Sequence, residues 1–96
     1  MKSVTLLNIY HNDFVADFVL TDGADTYTVS VAWDEWDGFS VIAQKNTHQT
    51  FGYEVARTFG FEDENEMARA LSNAVAPVRT IKKDVTDKVL PKEVAQ

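Results

Sequence analysis

The chain has 96 residues, a formal net charge of −6 and no cysteine, and 45% of its residues are hydrophobic. These totals predict one folded domain rather than a disordered chain, and the lack of cysteine excludes disulfides and thiolate metal sites. No apolar run is long enough for a membrane span and the N-terminus lacks the apolar segment of a signal peptide, so we expect a cytoplasmic protein that does not bind membranes.

Charge is unevenly distributed along the chain. Residues 1–76 hold four basic and twelve acidic side chains, whereas residues 77–96 hold five basic and three acidic ones. Residues 3–44 hold seven carboxylates and no Lys or Arg. A surface of this sign attracts basic partners and repels nucleic acid, so we expect no direct binding of nucleic acid.

The first three strands are read from the apolar pattern. Residues 4–10 are predicted as a strand that is apolar on both sides, with Leu6 and Ile9 on opposite faces. Residues 14–33 are predicted as a hairpin, because apolar and other residues alternate strictly in both of its arms. Gly23, between the arms, provides the positive φ that a tight hairpin turn requires.

An acidic turn and a fourth strand follow the hairpin. Residues 34–38 read Asp-Glu-Trp-Asp-Gly, which predicts a turn, and residues 39–44 alternate as a short strand. The short connections between the four strands predict an antiparallel meander.

The apolar period then changes to that of a helix. Phe51, Val55 and Phe59 recur every four residues, and Gly60 with Phe61 predicts the end of this first helix. Its predicted N-cap is one of three polar residues, namely Asn46, Thr47 and Thr50.

A second helix is predicted directly afterwards. Asp63 is its expected N-cap, with Glu66 three residues later, and Pro77 ends it. Its expected buried stripe is Met67, Leu71, Ala74 and Val75.

The fold predicted from these elements is α+β: a four-stranded antiparallel meander with two helices packed on one face, then a basic C-terminal tail. Residues 1–76 form the predicted single domain, and residues 77–96 form a tail or arm whose conformation the pattern leaves open. Because the tail combines weak helix formers with the border prolines Pro77 and Pro91, we expect residues 84–96 to be dispensable for folding.

Six residues of two acidic turns are predicted to bind a partner. Trp36 is the expected apolar anchor, because tryptophan is enriched among interface hot spots; the alternative is an indole folded over the sheet edge beside Phe39. The six residues are Asp22, Asp25, Asp34, Glu35, Trp36 and Asp37.

No residue pattern predicts catalysis, a metal site or a cofactor. His11 and His48 have no neighbouring His, Cys or Glu at ligand spacing and are interpreted as surface residues. Residues 34–38 lack the alternating ligands and the closing Glu of an EF-hand. The four glycines are isolated, so no phosphate-binding loop is present, and we expect that the protein is not an enzyme.

In size and charge, although not in any residue motif, the chain resembles small phage-encoded inhibitors of host defence systems, including anti-CRISPR proteins. This resemblance implies a stoichiometric inhibitor that occludes the basic surface of a nucleic-acid-binding host protein. One alternative is a structural or assembly protein that oligomerises through a strand edge such as residues 4–10. A second alternative is a small metal-dependent enzyme or regulator that uses Asp34, Glu35 and Asp37. The oligomeric state, monomer or homodimer, is left open.

Overall fold

The computed structural model describes residues 1–10, 15–76, 78–79 and 81–90. In chain order, the elements of this described part are β1 (Ser3–Tyr10), β2 (Val15–Thr21), β3 (Thr26–Asp34), β4 (Gly38–Lys45), β5 (His48–Thr50), α1 (Gly52–Thr58), α2 (Glu64–Val75), β6 (Lys83–Asp84) and α3 (Thr86–Val89).

The strands form one sheet in the order β5-β4-β3-β2-β1-β6, and every pairing is antiparallel. The predicted α+β class is therefore confirmed, and β1 to β4 form the predicted meander. The predicted count of four strands is wrong, because β5 and β6 extend the sheet at its two edges. With three and two residues, these strands are too short for alternation to reveal them.

The central hairpin forms as predicted. The register pairs Phe18 with Val29 and Leu20 with Tyr27, and all four side chains are buried. Gly23 has a φ of 98°, which is the left-handed conformation expected of the turn. Phe14, the first residue of the predicted hairpin, lies outside the described residues.

A β-bulge in β1 corrects the predicted facing of that strand. Leu6 pairs with Phe18 and Ile9 pairs with Ala16, and the register shifts between them. Because the bulge inserts one residue, Ile9 returns to the face of Leu6 and packs against the core. The prediction that these two residues lie on opposite faces is therefore wrong.

Helix α1 begins later than the sequence suggests. Its N-cap is Phe51, which makes no side-chain capping bond, so the predicted caps Asn46, Thr47 and Thr50 are wrong. Asn46 instead takes a φ of 58° in the turn between β4 and β5. There its side chain accepts a hydrogen bond from the backbone N–H of Thr26 at 3.1 Å.

The buried stripe of α1 is shorter than predicted. Val55 and Phe59 are buried, but Phe51 is 64% exposed because it precedes the helix. The predicted end of the helix is confirmed. Gly60 has a φ of 88°, and the N–H of Phe61 donates to the carbonyl of Ala56 at 2.9 Å.

Helix α2 follows its sequence signals closely. Asp63 Oδ1 accepts a hydrogen bond from the N–H of Glu66 at 2.8 Å, which is the predicted N-cap. Met67, Leu71 and Ala74 are buried in a single core with the inward faces of β1 to β4, while Val75 is partly buried against it. The helices thus pack on one face of the sheet, and no helix of the described residues covers the other face.

Residues 81–90, here called the C-terminal segment, run along the outer edge of β1. Thr5 pairs with Asp84, and the N–H of Val85 donates to the carbonyl of Val4 at 2.9 Å. Val85 and Val89 are buried in the core, as are Val78 and Leu90.

The expectation that residues 84–96 are dispensable for folding therefore does not fit the described part of this segment. A two-residue strand and a one-turn helix leave no periodic pattern, so only the pairing with β1 reveals that the valines are core residues. The same pairing occupies part of the β1 edge, which the oligomerisation hypothesis requires to be free. The backbone carbonyl of Leu7, on this edge, also accepts a hydrogen bond from the N–H of Lys82.

Candidate functional site

The turn between β3 and β4 is held by the side chain of Asp34. Its Oδ1 accepts hydrogen bonds from the N–H of Trp36 at 2.8 Å and the N–H of Asp37 at 2.6 Å. Gly38 closes the turn with a φ of 74°. An Asp side chain bonded to the backbone two and three residues ahead fixes a tight turn, so the indole is presented from an ordered loop. We call residues 34–38 the Trp36 turn.

Trp36 projects into solvent. Its side chain is 85% exposed, so the indole is not folded over the sheet edge beside Phe39. Glu35 and Asp37, on either side of it, are exposed as well. An exposed indole between two carboxylates combines a large apolar contact area with negative charge. This arrangement suits a basic surface that also offers an apolar contact.

An apolar groove lies at the same end of the sheet. Its volume is about 560 Å³, and it runs between the ends of β1 to β4 and the C-terminal end of α2. Trp33 and Phe39, a cross-strand pair on either side of the Trp36 turn, form one wall. The groove is lined by Ile9, Tyr10, Ala16, Val31, Trp33, Phe39, Ser72, Val75, Ala76, Val78 and Arg79.

The sequence pattern did not predict this groove. Trp33 continues the inward alternation of β3 but lies at its end, where it is 44% exposed. Val75 lies at the last position of α2 and is only partly buried. The sequence does show that the apolar patterns of β3 and α2 continue to the ends of these elements. The groove between those ends, however, depends on how α2 crosses the sheet.

Asp22 and Asp25 lie at the other end of the sheet. They precede β3, whereas Asp34 is its last residue, so nine residue steps of about 3.3 Å place them about 30 Å apart. The structure therefore does not bring the six predicted binding residues together. It divides them between the Trp36 turn and the turn between β2 and β3.

The carboxylates of this second turn have structural partners. Asp22 Oδ1 accepts hydrogen bonds from the N–H groups of Asp25 and Ala24, and these bonds lower the pKa of Asp22. Asp25 receives a hydrogen bond from the Asn46 side chain at 3.2 Å and lies 3.7 Å from the Lys45 ammonium. Both carboxylates thus stabilise local structure.

Basic side chains gather near this second turn. Lys2 Nζ donates to the carbonyl of Thr58 at 2.8 Å, and Lys45 and Arg57 line a cleft of about 430 Å³ together with Tyr27 and Tyr53. These are three of the four basic residues in residues 1–76. The Trp36 turn, by contrast, contains three carboxylates and no basic residue, and Arg79 of the groove is a nearby cation.

Among the described residues, no three His, Asp or Glu side chains are grouped so that they could hold a metal ion. Asp34, Glu35 and Asp37, which the metal hypothesis requires as ligands, are therefore not arranged to hold a metal ion together. His48 is exposed in β5, and His11 lies outside the described residues.

The helices of the described part are all too short or too polar to cross a bilayer. Comparison with known proteins gives no match: no protein-family model, no curated protein and no solved structure resembles this chain significantly. Any functional conclusion must therefore come from the site itself.

Proposed function

We propose that this protein is a small protein-binding module that acts as a stoichiometric inhibitor in the cytoplasm. It covers a basic surface of a nucleic-acid-binding protein with its Trp36 turn and thereby blocks that surface. The observation that carries the proposal is Trp36, which is 85% exposed on a turn fixed by Asp34 and flanked by exposed carboxylates.

An exposed tryptophan keeps its large apolar surface in contact with water unless a partner covers it. Indole side chains are among the strongest interface anchors, and a turn that is already ordered loses little conformational entropy when it binds. The two hydrogen bonds to Asp34 provide that order. Trp36 therefore supplies the apolar contact of the proposed interface.

The carboxylates beside Trp36 give the interface its charge preference. Glu35 and Asp37 can occupy positions that a basic protein surface offers to phosphates, and long-range attraction speeds the encounter. Asp34 has a different role, because its Oδ1 is committed to the turn. Asp22 and Asp25, at the far end of the sheet, are not part of this interface.

A search for the partner is the first test. The tagged chain is incubated with a bacterial lysate at low and at high salt, and a captured basic protein should be released as salt rises, because exposed charges are screened over about 8–10 Å. Binding kinetics with the purified partner then compare the variants. The nucleic-acid binding of that partner is measured with and without the inhibitor.

Two variants separate charge from apolar contact. The double variant Glu35→Gln, Asp37→Asn should slow association about tenfold at low salt, because it removes the steering charges while keeping the turn. Trp36→Ala should speed dissociation about thirtyfold or more, as expected for a hot spot worth at least about 2 kcal/mol.

The matched control for charge is Glu62→Gln, Asp87→Asn, which changes the net charge equally at exposed positions outside the Trp36 turn. It should leave both rate constants within about twofold. Binding that does not depend on salt and survives both Trp36-turn variants would refute the proposal. A partner whose nucleic-acid binding is unaffected would refute the inhibitory role alone.

A further inference from the structure

The uncovered face of the sheet is nearly free of charge. We call it the outer face: the side chains of β1 to β5 that point away from the helices. A row of directly paired residues crosses it from β1 to β5, consisting of Thr5, Val19, Thr28, Gln44 and Gln49. None of these side chains ionises, in a chain where 25% of the residues are charged.

The neighbouring row contains one charge, and that charge has partners. Asp17 lies between Asn8 and Ser30 in the register. Its Oδ1 accepts a hydrogen bond from Ser30 Oγ at 2.6 Å, and its Oδ2 accepts one from the Tyr10 hydroxyl at 3.1 Å. Both carboxylate oxygens are thus satisfied within the face, which reduces the cost of covering it.

Two large exposed apolar side chains lie at the β4–β5 side of the outer face: Ile42 of β4, and Phe51, which directly follows β5. Ile42 is 67% exposed and Phe51 is 64% exposed. Because Ala43 pairs with Thr50 in an antiparallel register, Ile42 and Phe51 are the next residues along the two strands and lie side by side. Tyr53 stacks on Phe51 with ring centroids 5.4 Å apart. An apolar patch beside a face with few charges is typical of a protein interface.

We propose that the outer face is the interface of a homodimer in which two copies of the chain pack sheet to sheet. The charge distribution of the chain favours a second copy as the partner of the outer face. Each copy carries a net charge of −6, so two copies that met through their acidic turns would bring like charges together, whereas the outer faces meet with little repulsion. Cores of protein interfaces are depleted in charge in the same way.

The size of the face suits this role. Five strands spaced by about 4.8 Å and about seven residues long cover roughly 550 Å² per copy, or roughly 1,100 Å² for two copies. A specific interface needs about 1,000 Å² in total, so the dimer has a modest interface and dissociates on dilution. The two-fold axis makes the contact self-complementary, and the dimer displays two Trp36 turns.

Sedimentation velocity over roughly 1 µM to 1 mM tests the dimer, because this range covers the dissociation constants of weak complexes. We expect a concentration-dependent shift from monomer to dimer. The dimer should tighten as salt is added, because salt screens the repulsion between two acidic copies. Binding of the proposed basic partner should weaken instead, so the two proposals can fail independently.

Substitutions locate the interface. Ile42→Asp places a charge on the outer face at an exposed position and should raise the dimer dissociation constant at least tenfold. Trp36→Asp is the matched control, because it adds the same charge at an exposed apolar residue of the Trp36 turn and should change the constant less than twofold. Circular dichroism confirms that both variants are folded.

Cysteine labelling gives a second readout, since the natural chain has no cysteine. A bulky maleimide on Thr28→Cys, in the middle of the outer face, should abolish the dimer, whereas the same label on Asp87→Cys in α3 should leave it intact. A chain that stays monomeric over the whole range overturns the proposal. A dimer that tolerates the label at Thr28 also overturns it and indicates association through a strand edge.

Discussion

The side-chain hydroxyl of Thr86 accepts a hydrogen bond from the backbone N–H of Val4 at 2.9 Å, across 82 positions of sequence. The same hydroxyl donates to Asp84 Oδ1 at 2.6 Å. These bonds hold the C-terminal segment on the outer edge of β1, where the neighbouring Val85 enters the core. The C-terminal segment is therefore tied to the first strand.

Thr86→Val should destabilise the protein by about 1–3 kcal/mol, because it leaves a partly buried N–H of Val4 without its partner while keeping the shape of the side chain. The free energy of unfolding is measured by urea titration. The control Lys88→Ala changes an exposed residue of the same short helix and should stay within about 0.5 kcal/mol of the parent. An unchanged Thr86→Val variant would mean that this contact does not anchor the segment.

Deleting residues 84–96 should unfold most of the protein. The deletion removes Val85, Val89 and Leu90 from the core, each worth about 1.5–3 kcal/mol by burial. Their sum is comparable with the stability of a typical domain, about 5–15 kcal/mol. The far-ultraviolet circular dichroism and the thermal transition are compared with those of the full chain. A truncated chain that keeps a cooperative transition near the parental temperature would contradict the assignment of these valines to the core.

The contact between sheet and helix should depend on Phe18 and Leu71, both fully buried. Phe18→Ala should cost about 3–5 kcal/mol and Leu71→Ala about 2–5 kcal/mol, because each leaves a cavity in the core. Urea unfolding measures both values. Trp36→Ala removes a still larger but exposed side chain and should change stability by less than about 0.5 kcal/mol. If the core variants unfold like this control, the facing of β2 or of α2 is misassigned.

Part of the acid sensitivity should come from Asp84. Hydrogen bonds from the hydroxyl and the N–H of Thr86 lower the pKa of Asp84 below its ordinary value of 3.8. A lowered pKa in the folded state gives stability that is present above the unfolded pKa and is lost as the pH falls from about 4 towards the folded pKa. Asp84→Asn should therefore reduce the drop in the urea midpoint between pH 6 and pH 3. An Asp84→Asn variant that keeps the parental drop would contradict this role of Asp84.

Two substitutions of Asp34 should distinguish its charge from its role in the turn. Asp34→Asn keeps an oxygen that accepts from the N–H groups of Trp36 and Asp37, whereas Asp34→Ala loses both bonds. Although both remove one charge, Asp34→Ala should weaken binding of the basic partner at least fivefold more than Asp34→Asn, because the indole is no longer held in place. Calorimetry or surface plasmon resonance measures the difference. Equal losses would mean that charge alone accounts for the contribution of Asp34.

The sequence by itself determined the elements with a regular period. Alternation over seven or more residues predicted β2 and β3 and their inward faces, and the helical stripe with the Asp63 cap predicted α2. Gly23 and Gly60 marked a turn and a helix end, because a positive φ favours glycine wherever it occurs. Each of these signals depends on residues near one another in the chain.

The tertiary structure decided what depends on distant residues. The bulge at Leu7, strand β6 and the burial of Val85 arise from pairing between β1 and its neighbours, which no local period records. The direction of each strand divides the acidic residues between two ends of the sheet. The position of α2 across the sheet forms the groove beside Trp33. Local preferences select helix, strand or turn, but the free energy that orders a two-residue strand or shapes a groove comes from contacts formed only once the whole chain has folded.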